Sequence, residues 1–228
     1  MSPATGRSVR TKLWLGVFLM GLAGAAAYAI FQYRSTQEAK QLAENNLRVV
    51  LYAVRGICEY ERGGRMLPQA ICDKQGKPLL SWRVALLPYL EQKMTFEQFK
   101  LDEPWDSPHN INLLKYMPPV YQSLRREAKQ GETYLQLVTG AGTAFPDPAA
   151  SPRPWFNDCF PRLLIVEAAE SVPWTKPDDI GYSPQLSVTA LGGDFGVGRF
   201  LGAYGDGSVR WHSQLSDEAL RAGILGTK

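Results

Sequence analysis

The side chains that could carry catalysis are few in this chain of 228 residues. Acid–base and nucleophilic chemistry need a general base that a third group orients, and His109 and His212 are the two histidines of the sequence. Asp106 lies close to His109, and Glu167 and Glu170 follow an apolar run typical of a buried strand. One hypothesis is therefore a hydrolase that uses Glu167, Asp106 and His109, if these side chains converge in one pocket.

The same residues also have structural interpretations, which we favour. Asp106 or Ser107 can accept backbone N–H groups while Pro108 fixes φ, so this run is typical of a capped turn. Glu167 is expected to pair with Arg83 or with another buried arginine. The sequence therefore predicts a protein without catalytic residues.

Aromatic and acidic residues suggest two kinds of binding site. Four tryptophans next to proline or charged residues either line a ligand groove or belong to the core, and we favour the core; they are Trp82, Trp105, Trp155 and Trp174. Four acids offer oxygen ligands for calcium without a recognisable spacing: Asp178, Asp179, Asp194 and Asp206. We predict neither a metal nor a cofactor.

The cysteines are Cys58, Cys72 and Cys159. Since no two of them form a CxxC pair, the sequence predicts no zinc site. Outside the cytoplasm Cys58 and Cys72 could form a disulfide. The alternative is three buried thiols that act as small apolar groups.

Charge argues against a nucleic-acid partner. Four of the 25 basic residues lie in residues 1–34, where there is no acid, so the remainder holds 21 basic against 22 acidic residues. A nucleic-acid-binding domain needs a basic face on its folded part. Apart from a small group at 125–129, no basic cluster is present in the sequence.

The N-terminal segment is typical of a membrane anchor. Every residue from Leu13 to Phe31 is uncharged, and about 20 apolar residues in a helix span the hydrocarbon core. We predict a cytoplasmic tail at 1–12, a transmembrane anchor at 13–34 and an extracytoplasmic domain at 35–228. The alternative is a signal peptide cleaved at Ala27-Tyr28-Ala29, which would release a soluble, secreted form.

This placement determines the expected partners. Basic residues precede the span, which favours a cytoplasmic N-terminus, although others follow it. We expect the N-terminal helix to contact lipid of the cytoplasmic membrane as a single-pass anchor. An envelope protein or a second copy of the chain is a further candidate partner, and the catalytic alternative becomes an envelope hydrolase.

Apolar periodicity places the helices. Residues 36–61 carry apolar residues at steps of three and four, which predicts one amphipathic helix ended by Gly63-Gly64; its stripe is Ala43, Leu47, Val50, Val54 and Ile57. Shorter helices are predicted at 79–87, stopped by Pro88, and at 94–99 and 111–117. Ser216 is expected to cap a last short helix.

Strands are predicted in the second half of the chain. Residues 133–139, 162–166, 200–204 and 208–212 are rich in β-branched and aromatic residues. Between the last two runs, Asp206-Gly207 predicts a hairpin with a type I′ turn. Long loops are expected at 140–161 and 173–186. The order predicts an α+β fold in which a long N-terminal helix packs on an antiparallel sheet with a C-terminal hairpin.

Five stretches together resemble a large bacterial family of unknown function, similar to the G-type pseudopilins of type II secretion: Gly76–Gln92, Phe99–Asn110, Thr133–Phe145, Leu163–Ile180 and Gly205–Trp211. The resemblance runs from about Asn45 to the end of the chain. It implies a pilin-like fold outside the cytoplasm and no known activity. The motif positions, whose roles the resemblance leaves open, are Trp82, Arg83, Trp105, Asp106, His109, Asn110, Glu167, Glu170, Trp174, Lys176, Asp206 and Gly207.

The sequence departs from this family in two ways. Members often have a histidine ten positions before the final Asp-Gly, where this chain has Gly196. The prepilin cleavage signal is also missing. It requires an acid at the fifth position after the cleavage site, and after Gly16, in the similar run Gly16-Val17-Phe18, this position is Gly21. Neither prepilin processing nor filament insertion through that glutamate is therefore expected.

Overall fold

The computed structural model describes residues 6–61, 63–123, 128–146, 162–193 and 196–227, of which 6–23, 61, 193, 196 and 197 are described as backbone only. Helix α1 runs from Gly6–Gly56. Contacts divide the chain into two units, Met1–Leu42 and Ala43–Lys228. The first unit is thus the N-terminal part of α1, and the second contains the rest of α1 and the sheet.

The first unit includes the predicted membrane span. The backbone from Leu13 to Phe31 is helical, and the side chains of its first part, up to Ala23, lie outside the described residues. From Gly24 onwards, Tyr28 and Phe31 are exposed. In the part of the chain that the structure describes, no helix has the length and apolar character needed to cross a membrane.

In the second unit, the predicted amphipathic stripe of α1 is confirmed. Ala43, Leu47, Val50 and Val54 are buried, and Ile57 packs partly buried against the same core, because residues three and four apart share one face of a helix. After Gly56 one π-helical turn covers Ile57–Glu61. Gly63 and Gly64 follow with φ of 58° and 83°, a backbone region that glycine adopts without steric cost.

The nine strands are β1 Ala70–Cys72, β2 Pro78–Ser81, β3 Glu132–Thr139, β4 Leu163–Pro173, β5 Ile180–Gly181, β6 Gly192–Gly193, β7 Gly196–Val197, β8 Phe200–Tyr204 and β9 Val209–His212, counted within the described ranges. The main sheet has the order β5-β3-β4-β8-β9, and β1-β2 and β6-β7 form two small hairpin-like pairs. Pairing is antiparallel throughout the main sheet except that β5 is parallel to β3. The predicted α+β class is confirmed.

The sheet is covered on both faces. In β8, Leu201 and Ala203 belong to the core cluster that contains α1, whereas Phe200 and Tyr204 belong to a second cluster. This division follows from the alternation of side chains along a strand. The second cluster includes Leu220 and Ile224 of helix α4, Asp217–Leu225. The sheet therefore lies between the long helix and the C-terminal helix.

The short helices differ in part from the prediction. One helix was expected at 79–87. In the structure β2 continues to Ser81, α2 covers only Trp82–Ala85, and a 3₁₀ turn covers Leu87–Leu90. Pro88 lies in the first turn of this 3₁₀ segment, where its missing N–H costs nothing. The other short helical segments are confirmed as α3, Lys93–Phe96, and a 3₁₀ helix at Asn110–Tyr116. Of the expected loops, 147–161 lies outside the described residues.

The C-terminal hairpin is confirmed, but its turn type was predicted wrongly. A type I′ turn requires positive φ at Asp206 and Gly207, whereas among the described non-glycine residues only Glu91 has positive φ. The Gly207 N–H donates to the carbonyl of Tyr204 (3.0 Å), and Gly207 has φ of 83°. These features define a three-residue loop with a left-handed glycine. The Asp206 carboxylate accepts the Ser208 N–H (2.9 Å), so the predicted bond to nearby backbone is present.

Two substitutions separate the conformation of this loop from the charge of Asp206. A Cβ at Gly207 would meet no atom within 4 Å, so Gly207→Val should cost about 1–3 kcal/mol from backbone strain alone. Asp206→Asn keeps the acceptor for Ser208 and loses the half-exposed ion pair with Arg210, so it should change the free energy of unfolding by less than about 1 kcal/mol. Urea denaturation of both variants measures this; a larger loss for Asp206→Asn would contradict the turn-forming role.

A carboxylate fixes helix α4 to the segment before it. Ser216 caps α4 as predicted, since its Oγ accepts the Ala219 N–H (3.1 Å). In the first turn, the carboxylate of Asp217 accepts the Val188 N–H (2.7 Å) and the Ser187 hydroxyl (3.0 Å). These two hydrogen bonds lower the pKa of Asp217 below its ordinary value.

This lowered pKa makes a contribution to stability that depends on pH. The contribution is complete above the pKa of the unfolded aspartate, about 3.9, and is lost as the pH falls through the lower pKa of the folded state. We expect the free energy of unfolding of the natural protein to exceed that of Asp217→Asn near neutral pH, and this difference to shrink in acid. Urea melts at several pH values measure it; a difference independent of pH would contradict this assignment.

Candidate functional site

The conspicuous polar feature of the second unit is a buried arginine at the start of α2. Ser81 caps this helix, because its Oγ accepts the Arg83 N–H (3.2 Å). The Ser81 N–H itself donates to the carbonyl of Thr175 (2.9 Å). Trp82 and Arg83 are both 0% exposed, so the cap places a charged side chain inside the domain.

The guanidinium of Arg83 has a partner on each of its nitrogens. Nε and Nη2 donate to the carbonyl of Leu135 (2.8 and 2.6 Å), and Nη1 donates to the Ser81 Oγ (2.7 Å). Nη2 also donates to Oδ1 of Asp179 (2.9 Å). The strand pairing of β3 and β4 is irregular between Thr133 and Leu135, at the point where Arg83 approaches β3. A buried charge needs such hydrogen bonds and an ion-pair partner, because its burial otherwise costs much free energy.

Asp179 completes this arrangement, which we call the Arg83–Asp179 clasp (Ser81, Trp82, Arg83, Leu135 and Asp179). Besides the bond from Arg83, its Oδ1 accepts the Trp82 Nε1–H (3.0 Å) and the Leu137 N–H (2.9 Å). Asp179 immediately precedes β5. The clasp therefore joins three segments distant in sequence: β2–α2, β3 and the chain entering β5.

Burial opposes the charged state of both groups in the clasp. It raises the pKa of the Asp179 carboxyl, and the adjacent guanidinium and the hydrogen bonds from Leu137 and Trp82 counteract this rise. Burial likewise lowers the pKa of Arg83, against the attraction of Asp179. The guanidinium keeps its charge, because arginine is not deprotonated in proteins. Since each nitrogen of the Arg83 guanidinium has a partner, the clasp holds these three segments together.

Aromatic rings surround the clasp. The ring of Tyr121 lies 6.4 Å from Trp82 and 6.1 Å from Trp174, and Phe99 lies 5.7 Å from Trp174. The hydroxyl of Tyr121 donates to the carbonyl of Arg83 (3.1 Å), and the Trp174 Nε1–H donates to the carbonyl of Leu114 (3.0 Å). The core interpretation of Trp82 and Trp174 is therefore confirmed. Trp155 lies outside the described residues.

Asn110 organises the loop that holds several motif positions. It is 0% exposed, its Oδ1 accepts the Lys100 N–H (3.1 Å), and its Nδ2 donates to the carbonyls of Lys100, Glu103 and Pro104 (2.9, 3.1 and 3.1 Å). Ser107 Oγ accepts the Asn110 N–H (3.1 Å), which confirms the predicted capped turn. The side chain of this motif asparagine thus supplies hydrogen bonds that hold the backbone of the loop, where no strand pairing does so.

The loop also brings Trp105 and Lys176 together. The Trp105 N–H donates to the carbonyl of Leu79 (2.9 Å), which fixes the loop beside β2. Lys176 Nζ lies 6.0 Å from the centre of the Trp105 ring and 2.7 Å from Oδ2 of Asp178. These two motif positions therefore meet near the surface, next to the clasp.

The proposed catalytic residues are not brought together by any described contact. Glu167 is 8% exposed in β4, accepts the Leu201 N–H (3.2 Å), and lines a small cavity with Ala43 and Leu47 of α1. Asp106 and His109 are exposed and do not line that cavity; His109 Nε2 lies 2.8 Å from the carbonyl of Gln98. The cavity that Glu167 lines therefore does not include the other two residues of the hydrolase hypothesis.

Of the two partners expected for Glu167, Arg83 was wrong, and another buried arginine stays a prediction. Arg83 pairs instead with Asp179, because β5 adds to the edge of β3 and the preceding aspartate lies at the start of α2. The carbonyl of Glu170, the second candidate acid, accepts the Gln136 Nε2–H (2.7 Å). Sequence reasoning named Asp179 only as a candidate calcium ligand. No spacing between residues in the sequence indicates its ion pair with Arg83.

The remaining candidate sites also have definite positions. Cys58 and Cys72 are not joined by the considered disulfide; the Cys58 Sγ accepts the Leu67 N–H (3.2 Å) in the core. Cys159 and Asp194 lie outside the described residues. Asp206 is in the β8–β9 loop, away from Asp178 and Asp179. Within the described ranges, no three acidic, histidine or cysteine side chains are grouped as metal ligands.

Comparison with known proteins gives one match. A family model described as "Protein of unknown function (DUF1559)" matches residues 44–157, which is half of the chain. The matched range includes the buried stripe of α1 from Leu47 onwards, α2 with Arg83, the Asn110 loop and β3. No curated protein and no solved structure matches the chain.

The clasp predicts that the loss of two neighbouring ion pairs lowers the free energy of unfolding by very different amounts. Asp179→Ala leaves the Arg83 charge buried without its partner, which should lower the free energy of unfolding by about 3–5 kcal/mol. Asp178→Ala removes the partner of Lys176 in a pair whose side chains are 40% and 46% exposed, and should cost less than about 1 kcal/mol. Urea denaturation of the two variants compares them; similar losses would contradict the role given to the clasp.

Proposed function

We propose, since the chain belongs to the DUF1559 family of bacterial proteins of unknown function, that it is a non-enzymatic, pilin-like scaffold or binding domain held at the cell envelope by its N-terminal helix. The observation that carries this proposal is the use of the motif side chains. Arg83, Asn110 and Asp206 all bond to backbone or to neighbouring side chains of the domain itself. Residues with such roles build a scaffold and are not available for a substrate.

The architecture supports the pilin-like part of the proposal. A helix of 51 residues supplies the apolar stripe that packs on an antiparallel sheet ending in a hairpin, which is the arrangement implied by the resemblance to G-type pseudopilins. The missing prepilin signal argues for a permanently anchored protein in place of a processed filament subunit. The finer kinship with pseudopilins is part of the proposal.

The location follows from the uncharged N-terminal run. In this proposal residues 1–12 stay in the cytoplasm, residues 13–34 cross the cytoplasmic membrane once, and residues 35–228 form the domain outside. Leu13 to Phe31 contains no charge that would oppose insertion. Membrane lipid is then the first partner, and an envelope protein or a second copy of the chain would contact the outer domain.

Membrane retention tests the proposed anchor. The full-length protein should stay in the membrane fraction after a carbonate wash, and its mass should correspond to an uncleaved N-terminus. Leu22→Arg places a charge near the centre of the span, at a cost of about 3 kcal/mol, and should reduce retention. Tyr52→Arg, at a position that is 62% exposed beyond the span, is the matched control and should be retained.

Two results would contradict this proposal. A mature chain that begins at Ile30 would show signal-peptide cleavage and a secreted domain. Retention of both arginine variants to the same extent would show that residues 13–34 are not what holds the protein at the membrane.

A further inference from the structure

A pocket lies on the outer side of the Arg83–Asp179 clasp. Its volume is about 170 Å³, and it is lined by Gln69 and Pro78 on one side and by Thr139, Pro177, Asp178 and Asp179 on the other. The walls come from the segments that the clasp joins: the β1–β2 pair, the end of β3 and the chain before β5. This volume is below the roughly 300 Å³ at which drug-sized ligand sites begin, so the pocket suits only a small group.

One oxygen of a deeply buried carboxylate is left over in this pocket. The side chain of Asp179 is 6% exposed, and its bonds from Arg83, Trp82 and Leu137 all go to Oδ1. Among the described residues, none donates to Oδ2. Oδ2 is not among the buried side-chain atoms that lack a partner, so it is open to solvent at this pocket. Because Oδ1 is enclosed and Asp179 lines the pocket, Oδ2 is the oxygen that a donor in the pocket would reach.

The rest of the lining also offers acceptors. Gln69 uses its Nε2–H to donate to the carbonyl of Phe145 (2.9 Å), which leaves its Oε1. Thr139 donates its hydroxyl proton to the carbonyl of Ile180 (3.2 Å), and the two prolines have no N–H. Asp178 adds a carboxylate. A ligand that fits this lining must therefore bring hydrogen-bond donors.

The charges around the pocket favour a cationic donor. Arg83 balances Asp179 from inside the domain, where it is 0% exposed. Asp178 is balanced by Lys176 from outside, in a pair whose side chains are 40% and 46% exposed. An exposed ion pair of this kind is weak, so another cation can replace Lys176 at Asp178.

We propose that this pocket binds the primary ammonium group of a small organic amine. Three donors of an ammonium group match the three available acceptors: Oδ2 of Asp179, the carboxylate of Asp178 and Oε1 of Gln69. Lys176 competes with the ligand for Asp178. The inference goes beyond the scaffold role and does not depend on the membrane anchor.

Calorimetry on the full-length protein in detergent tests the site, with 1,4-diaminobutane as the probe and 1,4-butanediol as its uncharged analogue. The diamine should bind and the diol should not. Asp178→Asn should weaken binding of the diamine about tenfold, because a charge-assisted hydrogen bond becomes a neutral one. Lys176→Gln should strengthen binding by up to about fivefold, because it removes the competitor.

The opposite signs of these two effects distinguish a ligand site from a structural role, since the same ion pair is broken in both variants. Lys115→Gln, which removes an exposed lysine that lies over Tyr116, is the matched control and should leave binding unchanged. Absence of diamine binding, equal binding of the diol, or weakened binding by Lys176→Gln would each overturn the proposal. Calcium binding without diamine binding would identify a metal site in its place. Diamine binding by a protein that is not retained in membranes would contradict only the proposed anchor.

Discussion

A guanidinium enters a protein interior only when its hydrogen bonds and its charge are both satisfied, because the cost of removing an ion from water is several kcal/mol. Arg83 meets this condition with partners from three segments: the Ser81 cap of its own helix, the carbonyl of Leu135 in β3 and the carboxylate of Asp179 before β5. None of the three can move away without leaving a buried polar group unpaired. These bonds join the start of α2, the irregular part of β3 and the chain that enters β5.

Neutral side chains around the clasp also stabilise this region, without placing a further charge in the interior. Tyr121 covers the backbone of Arg83 and contacts Trp82 and Trp174, so the rings exclude water from the ion pair while their polar atoms keep partners. Asn110 holds a loop that lacks regular secondary structure by supplying side-chain hydrogen bonds to its carbonyls. These motif residues are therefore explained by folding. The outer side of Asp179 differs, since its second oxygen faces a pocket whose lining contains acceptors and little to donate.

Two different elements of the chain pack on the two faces of the main sheet. Helix α1 contributes the stripe with Leu47, Val50 and Val54, which packs with Leu135, Leu137 and Leu201 of the sheet. The opposite face, with Val138, Phe200 and Tyr204, is covered by α4 and the segment around Val188. Asp217 connects these two elements through the N–H of Val188. A strand buried on both faces shows little alternation between apolar and polar residues, which is why the Leu163–Val166 run is apolar throughout.

The sequence alone determined those features that depend on neighbours along the chain. The stripe of α1 follows from steps of three and four residues, the cap at Ser216 from side-chain chemistry, and the β8–β9 hairpin from an Asp-Gly pair between two strand-forming runs. Tertiary structure decided the partner of Arg83, the length of β2 at the expense of the helix expected at 79–87, and the left-handed conformation of Gly207 alone in a three-residue loop. The partner of Arg83 lies 96 positions away in sequence, and it reaches the arginine only because β5 pairs in parallel with β3. A buried charge selects the carboxylate that the strand order brings within reach, and local spacing carries no information about that order.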